Sequence, residues 1–166
     1  MIKLDLQNPY DFDTIPKFQD LQTWSNAALQ KSDQTLSLVI RVVNEEEGMD
    51  LNQTYRGKKS ATNVLSFPYE EPDYVMDIPE LQDEYSRQYL GDIVLCEKVV
   101  INEAKAQNKT VAQHWAHLII HGVLHLQGYD HINDDDATKM EALEIKILDS
   151  LGFKNPYNPE SSDENH

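Results

Sequence analysis

The stretch HGVLHLQGYDH, residues 121–131, packs three histidines, two glycines and an aspartate into eleven positions. His121 and His125 are four residues apart. On a helix they share a face, with a rise of about 6 Å between them. At that separation two imidazoles can take two corners of a metal tetrahedron. His131 lies six residues further on, and a continuing helix would swing it about 240° away from that face. Gly128 removes the difficulty, because a glycine lets the chain leave the helix in a left-handed turn and fold back over its end. The spacing therefore predicts a site built from His121, His125 and His131. Three neutral nitrogens with a fourth position open suit a catalytic zinc better than a structural one; nickel, copper or iron would accept the same ligands. A lone histidine on an apolar helix is ordinarily a packed polar residue, but three at this spacing are hard to explain that way. His117, one turn earlier, is expected to support the ligands or to pack; His114 and His166 read as solvent residues. Asp130 is placed to bond an imidazole N–H or a water at the site, although aspartates in turns are also common turn formers.

A divalent ion held this way activates water near neutral pH and polarises a carbonyl or phosphoryl oxygen. The spacing resembles the long metzincin signature, whose H-E-x-x-H core uses the residue after the first histidine as general base. Here that residue is Gly122, so the ligands are present without the base of a peptidase. A phosphodiester fits better, since its transition state gathers negative charge that a cation and a fixed arginine stabilise. Arg56 in YRGKK (55–59) is the candidate, because its planar fork suits phosphate. Lys58 and Lys59 could hold flanking phosphates. Taken alone, that patch reads as a solvated loop.

The elements that must position these groups follow from pattern. IKLDLQ (2–7) alternates as a strand, and TLSLVIRVV (35–43) is a β-branched run suited to a central strand. Between them Thr14 and Pro16 open a helix carrying Ile15, Phe18, Leu21, Trp24, Ala28 and Leu29. Residues 44–57 read as a short helix with acids in its first turn and Gly57 after its end. TNVLSFPY (62–69) and YLGDIVLC (89–96) are strands. Val64, Leu65 and Phe67 are expected in the core, and Thr62, Asn63 and Ser66 are left as candidate cleft groups. Asp92 could orient a ligand or an arginine, or simply form a turn; Cys96 reads as a small buried hydrophobe. The segment 70–88, with two prolines and an acidic run, reads as a long surface loop. A helix over 97–108 follows. Thr110 with Gln113 then forms a capping box for the helix bearing the histidines. A last helix starts near Asn133–Asp136 with Ala137, Met140, Leu143, Ile147 and Leu151 as its apolar face. These elements predict a single α+β domain over 1–152, a small mixed sheet of about four strands packed against helices, and a frayed acidic tail over 153–166.

Bulk properties set outer limits. The chain of 166 residues suits one domain. Its one cysteine excludes an intrachain disulfide. No basic, apolar start reads as a signal peptide and no run approaches the roughly 18 apolar residues of a membrane span, so a cytoplasmic location is expected. The formal net charge of −15 repels phosphate backbones at long range. Any nucleic-acid contact must then rest on a local basic patch.

Three blocks, AHLIIHGVLHLQGYDH (116–131), YRGKKSATNVLSFP (55–68) and LGDIVLC (90–96), together resemble the YbeY family of bacterial endoribonucleases in order and spacing. The similarity extends to about residue 152. It implies a single-domain α+β metalloprotein with one zinc on His121, His125 and His131, and a cleft arginine at Arg56. The function it implies is single-strand-specific endonuclease activity in 3′-end maturation of small-subunit ribosomal RNA, in late ribosome assembly and in quality control. Ribosomal protein S11 and the GTPase Era are the partners implied; neither DNA nor membrane is. The acidity of the chain suggests that RNA is presented on the ribosome, where a partner supplies much of the binding energy. Two rivals stand beside this reading: a zinc peptidase or other amide hydrolase, and a non-catalytic assembly factor whose metal is structural.

Overall fold

The computed structural model describes residues 1–30, 35–57, 62–69, 89–129 and 133–157. The acidic segment 70–88, Lys58, Lys59, Asp130, His131 and the chain from 158 onward, His166 included, lie outside the described residues. Four strands, β1 (Ile2–Gln7), β2 (Leu36–Val43), β3 (Val64–Pro68) and β4 (Tyr89–Cys96), form one sheet in the order β1-β2-β4-β3. β1 and β4 flank β2 in parallel, and β3 closes one edge antiparallel to β4. The parallel pairs require crossovers. One is supplied by α1 (Phe18–Ala28) between β1 and β2, and α2 (Glu45–Arg56) leaves the end of β2. Then come α3 (Glu97–Ala106), α4 (Val111–Leu126) and α5 (Asp134–Ser150). The expected α+β domain with a four-stranded mixed sheet is what the chain forms.

Strand alternation sorts the two faces. Leu38, Ile40 and Val42 of β2 join Ile93 and Leu95 of β4 on one face, where α1, α4 and α5 complete the main core around Leu21, Trp115 and Ile119. Val43, Leu65, Val94 and Cys96 form a smaller cluster on the other face, with Leu51 of α2 and Val99 of α3 against it. Cys96 is buried as expected. Of the three residues of β3 expected in the core, Leu65 is buried and Val64 and Phe67 are half-buried.

Helix ends follow local chemistry. Asn44 Oδ1 accepts from the Glu47 N–H, three glutamates complement the dipole in the first turn, and Gly57 closes α2 at φ 71°. Thr110 and Gln113 make the expected reciprocal cap on α4. Asn133 caps α5 by accepting from the Asp136 N–H, so the acidic triplet Asp134–Asp136 forms a helix first turn. One boundary differs. α1 begins at Phe18, and its N-cap residue Lys17 offers no side-chain bond. Pro16 disfavours helical geometry for Ile15, which packs on the core ahead of the helix. The Thr14 hydroxyl is engaged by Glu97 of α3 instead.

Candidate functional site

α4 is the central helix of the fold. From His114 to Leu126 every residue is buried except His117, His121 and His125, which are partly exposed. A helix hydrophobic all round belongs in a core; here a single stripe at four-residue spacing reaches the surface, and it consists only of imidazoles. The His121 and His125 rings are parallel, with centroids 6.3 Å apart and an interplanar angle of 6°. The chain then leaves the helix at Gln127 and Gly128, the glycine at φ 101°. Gln127 anchors that end, donating to the Ala28 carbonyl of α1 and accepting from the Gln30 N–H.

A residue that the sequence reading passed over lies behind this stripe. Glu144 of α5 has 0% exposure. Its Oε2 stands 2.7 Å from His121 Nδ1. Its Oε1 stands 2.9 Å from His117 Nε2 and also accepts from the Tyr157 hydroxyl. Burial pushes the Glu144 carboxyl up, but the hydrogen bonds from His117 and His121 outweigh it and hold the group down at about 2. Burial, and then the adjacent carboxylate, raise Tyr157 far above the ordinary phenol range, so its hydroxyl keeps its proton. The sequence did carry a signal: Glu144 falls between Met140 and Ile147 on the apolar face of α5, where an unpaired charge is costly.

His114, expected in solvent, is 3% exposed. Its Nε2 pairs with Glu103 Oε1 of α3 at 2.8 Å, and Asn63 Nδ2 donates to the same oxygen at 2.9 Å. Burial lowers the His114 pKa against the opposing pull of Glu103. Packing of α3 on α4 covers it, a long-range effect that periodicity along α4 does not report. Asn63, a candidate cleft group, is thereby engaged in tying the start of β3 to α3.

Gly122 faces the sheet. A Cβ there would lie 2.8 Å from Ile93 Cδ1 and 3.3 Å from Ser66 Oγ. The position that carries the base in H-E-x-x-H peptidases is thus filled by the sheet beneath α4. Ser66, 7% exposed, is part of that contact rather than an open cleft group.

Arg56, at the last turn of α2, is exposed, and its Nη2 donates to the Ser66 carbonyl at 3.4 Å. The bonds from Cys96 N–H to Asn63 O and from Tyr69 N–H to Leu90 O show that odd-numbered residues of β3 face β4. Antiparallel alternation therefore turns the backbone of Ser66 outward at the sheet edge. Arg56 reaches that edge from α2, against the strand whose Ser66 lies beneath Gly122. Asp92 lies elsewhere. It accepts from the Tyr89 hydroxyl and lines a cavity of about 610 Å³ with Arg41, Tyr55 and Phe67 on the sheet face opposite α4. Asp92 is therefore not placed to orient the histidines.

Two parallel imidazoles on successive turns, one with Nδ1 bonded to a buried carboxylate, suit zinc. Among the described residues no group of three or more histidine, cysteine, aspartate or glutamate side chains is arranged to hold a metal ion; His131, the expected third ligand, lies outside them.

Fold and stripe together define an α+β protein whose central helix presents histidines and whose edge strand is contacted by an arginine from α2. Residues 7–152 match the family described as Endoribonuclease YbeY. Proteins named Endoribonuclease YbeY are 47% identical in Hydrogenovibrio crunogenus, covering 95% of this chain and 98% of that protein, and 48% identical in Pseudomonas putida, covering 98% of each. A third, from Stutzerimonas stutzeri, is 50% identical over 97% of this chain and 94% of its own. The chain belongs to the endoribonuclease YbeY family, and that membership supports an endoribonuclease role. No helix among the described residues is long and apolar enough to cross a membrane.

Proposed function

We propose that the protein is a zinc-dependent, single-strand-specific endoribonuclease of the cytoplasm that matures the 3′ end of small-subunit ribosomal RNA. The observation that carries the reading is the imidazole stripe: on a helix otherwise sealed from His114 to Leu126, His121 and His125 alone follow His117 to the surface, in parallel. His131 completes the ligand set. Nickel or another divalent ion fits the same donors. When bound, the ion supplies Lewis-acid stabilisation of phosphoryl oxygen and an acidified water. Arg56 places a guanidinium beside the edge strand, where it offsets charge gathering on the scissile phosphate. Asp130 is assigned proton transfer or support of His131. The peptidase alternative is disfavoured because the sheet occupies the space that a glutamate side chain in place of Gly122 would need.

The net charge of −15 argues that the ribosome, with ribosomal protein S11 and the GTPase Era as candidate partners, presents the RNA. Isolated protein should then bind single-stranded RNA weakly at physiological salt. The direct test is metal analysis of the purified protein followed by RNA cleavage with and without chelator. Stoichiometric zinc and chelator-sensitive cleavage are expected; equal cleavage in chelator overturns the zinc role, and absence of cleavage on ribosomal precursors favours the assembly-factor alternative. Product ends report the nucleophile: a 2′,3′-cyclic phosphate marks attack by the 2′-hydroxyl, and a linear phosphate marks water.

A further inference from the structure

We infer that Glu144 is the positioning residue of the histidine site, and that Tyr157 locks it in place from the segment after α5. The inference rests on the zinc reading above and goes beyond it, because it concerns a residue that touches neither ion nor RNA.

The chemistry is that of an acceptor without protons. An ionised carboxylate can only accept hydrogen bonds. Glu144 faces three groups, His121 Nδ1, His117 Nε2 and the Tyr157 hydroxyl, so each of them must donate. His121 therefore carries its proton on Nδ1, and the lone pair that binds a metal is on Nε2. His117 is fixed the other way round, with its proton on Nε2. Its remaining nitrogen, Nδ1, is buried and makes no hydrogen bond among the described residues. One carboxylate thus sets opposite tautomers on two adjacent turns of α4, making His121 a ligand and withholding His117.

Stability alone is a poor reason for this arrangement. A carboxylate with 0% exposure is expensive to desolvate, and an apolar side chain of similar volume is commonly as stable or more so. The same carboxylate is what fixes ring orientation and raises basicity when its partner binds a metal. Tyr157 adds the third donor from outside α5 and stands 3.0 Å from His117 Nε2 as well, restricting Glu144 to one rotamer.

The experiment uses the full-length protein, stripped of metal, and its Glu144→Gln and Tyr157→Phe variants. Imidazole ¹⁵N NMR reads the tautomers, and competition with a chromophoric chelator reads affinity for Zn²⁺. Wild-type protein should show His121 protonated at Nδ1 and His117 at Nε2. Glu144→Gln, which keeps the shape but offers one acceptor and an opposing N–H, should mix the His121 tautomers and weaken zinc about 10- to 100-fold. Tyr157→Phe should weaken zinc severalfold, less than Glu144→Gln. A purely structural role would lower the melting temperature of Glu144→Gln and leave tautomers and zinc affinity unchanged, which overturns the inference. Should Glu144→Gln fail to fold, the wild-type spectrum still decides, because a His121 protonated at Nε2 refutes it. Wild-type protein that binds no zinc but shows the stated tautomers would refute the zinc reading and leave the carboxylate's control of His121 standing.

Discussion

Gly122 lies so close to Ile93 that a Cβ on the glycine would come within 2.8 Å of the isoleucine Cδ1 and 3.3 Å of its Cγ1. α4 is thereby seated on β4 at the turn that carries His121. The contact forecasts what restoring the peptidase pattern would do. Gly122→Glu must push a carboxylate between helix and sheet, combining overpacking with burial of a charge. It should cost about 3 to 5 kcal/mol, read from the denaturant midpoint, and should confer no peptide cleavage. A Gly122→Glu protein as stable as wild type would show that the helix can lift off the sheet.

Gly91 is a second close approach. Its φ is 151°, and a Cβ would lie 2.5 Å from the Phe67 carbonyl oxygen and 2.9 Å from Leu126 Cδ2. The first of these is backbone of the paired strand and cannot swing aside. Gly91→Ala should therefore lose about 3 kcal/mol or more through strain and displaced packing. Because Leu126 ends the histidine helix, the same variant should also perturb the His125 resonance in NMR spectra. A melting temperature within a degree of wild type would refute this.

What could be read from the sequence divides along the same physical line. Thr110 with Gln113, Asn133 before its aspartates and Gly57 after Arg56 announce helix ends because capping is settled within a few residues. The strands alternate where one face is covered, and the central place of β2 follows its β-branched run. The histidine stripe was legible because ligand spacing on a helix is local. Glu144 was not, because its role depends on α5 packing against α4, and it stands 23 positions beyond His121 along the chain. His114 looks like a solvent residue in the sequence for a related reason: its cover comes from α3. Arg56 was legible as a residue type, while its seat at the outward carbonyl of Ser66 depends on which edge β3 occupies.

Arg41 and Glu47 provide a pH prediction away from the histidines. The guanidinium meets the carboxylate at two points, Nε to Oε2 at 2.6 Å and Nη2 to Oε1 at 3.0 Å. That bond, with help from the Tyr10 hydroxyl, holds the Glu47 carboxyl below its ordinary value despite partial burial. A depressed folded value means stabilisation that is fully present above about pH 4.3, the unfolded carboxylate value, and lost as pH falls through the lower folded one. Glu47→Gln should cost about 1 kcal/mol at pH 7, allowing for solvent screening. The gap to wild type should close as pH is lowered below about 4. A gap independent of pH would mean that packing, and not the ion pair, carries the effect.

Arg56 separates chemistry from scaffold. It is exposed and makes one long bond, to the Ser66 carbonyl, so its removal should change stability by no more than about 0.5 kcal/mol. Loss of a charge that acts on the transition state is worth far more, about 10²- to 10³-fold in rate. Arg56→Ala should therefore keep its melting temperature and its zinc while RNA cleavage falls by that factor. Arg56→Lys should recover only part, because an ammonium lacks the planar fork that grips two phosphate oxygens. Cleavage at the wild-type rate by a folded, zinc-loaded Arg56→Ala protein would reduce the arginine to a guard on the outer edge of β3, where its bond to Ser66 already engages one outward carbonyl.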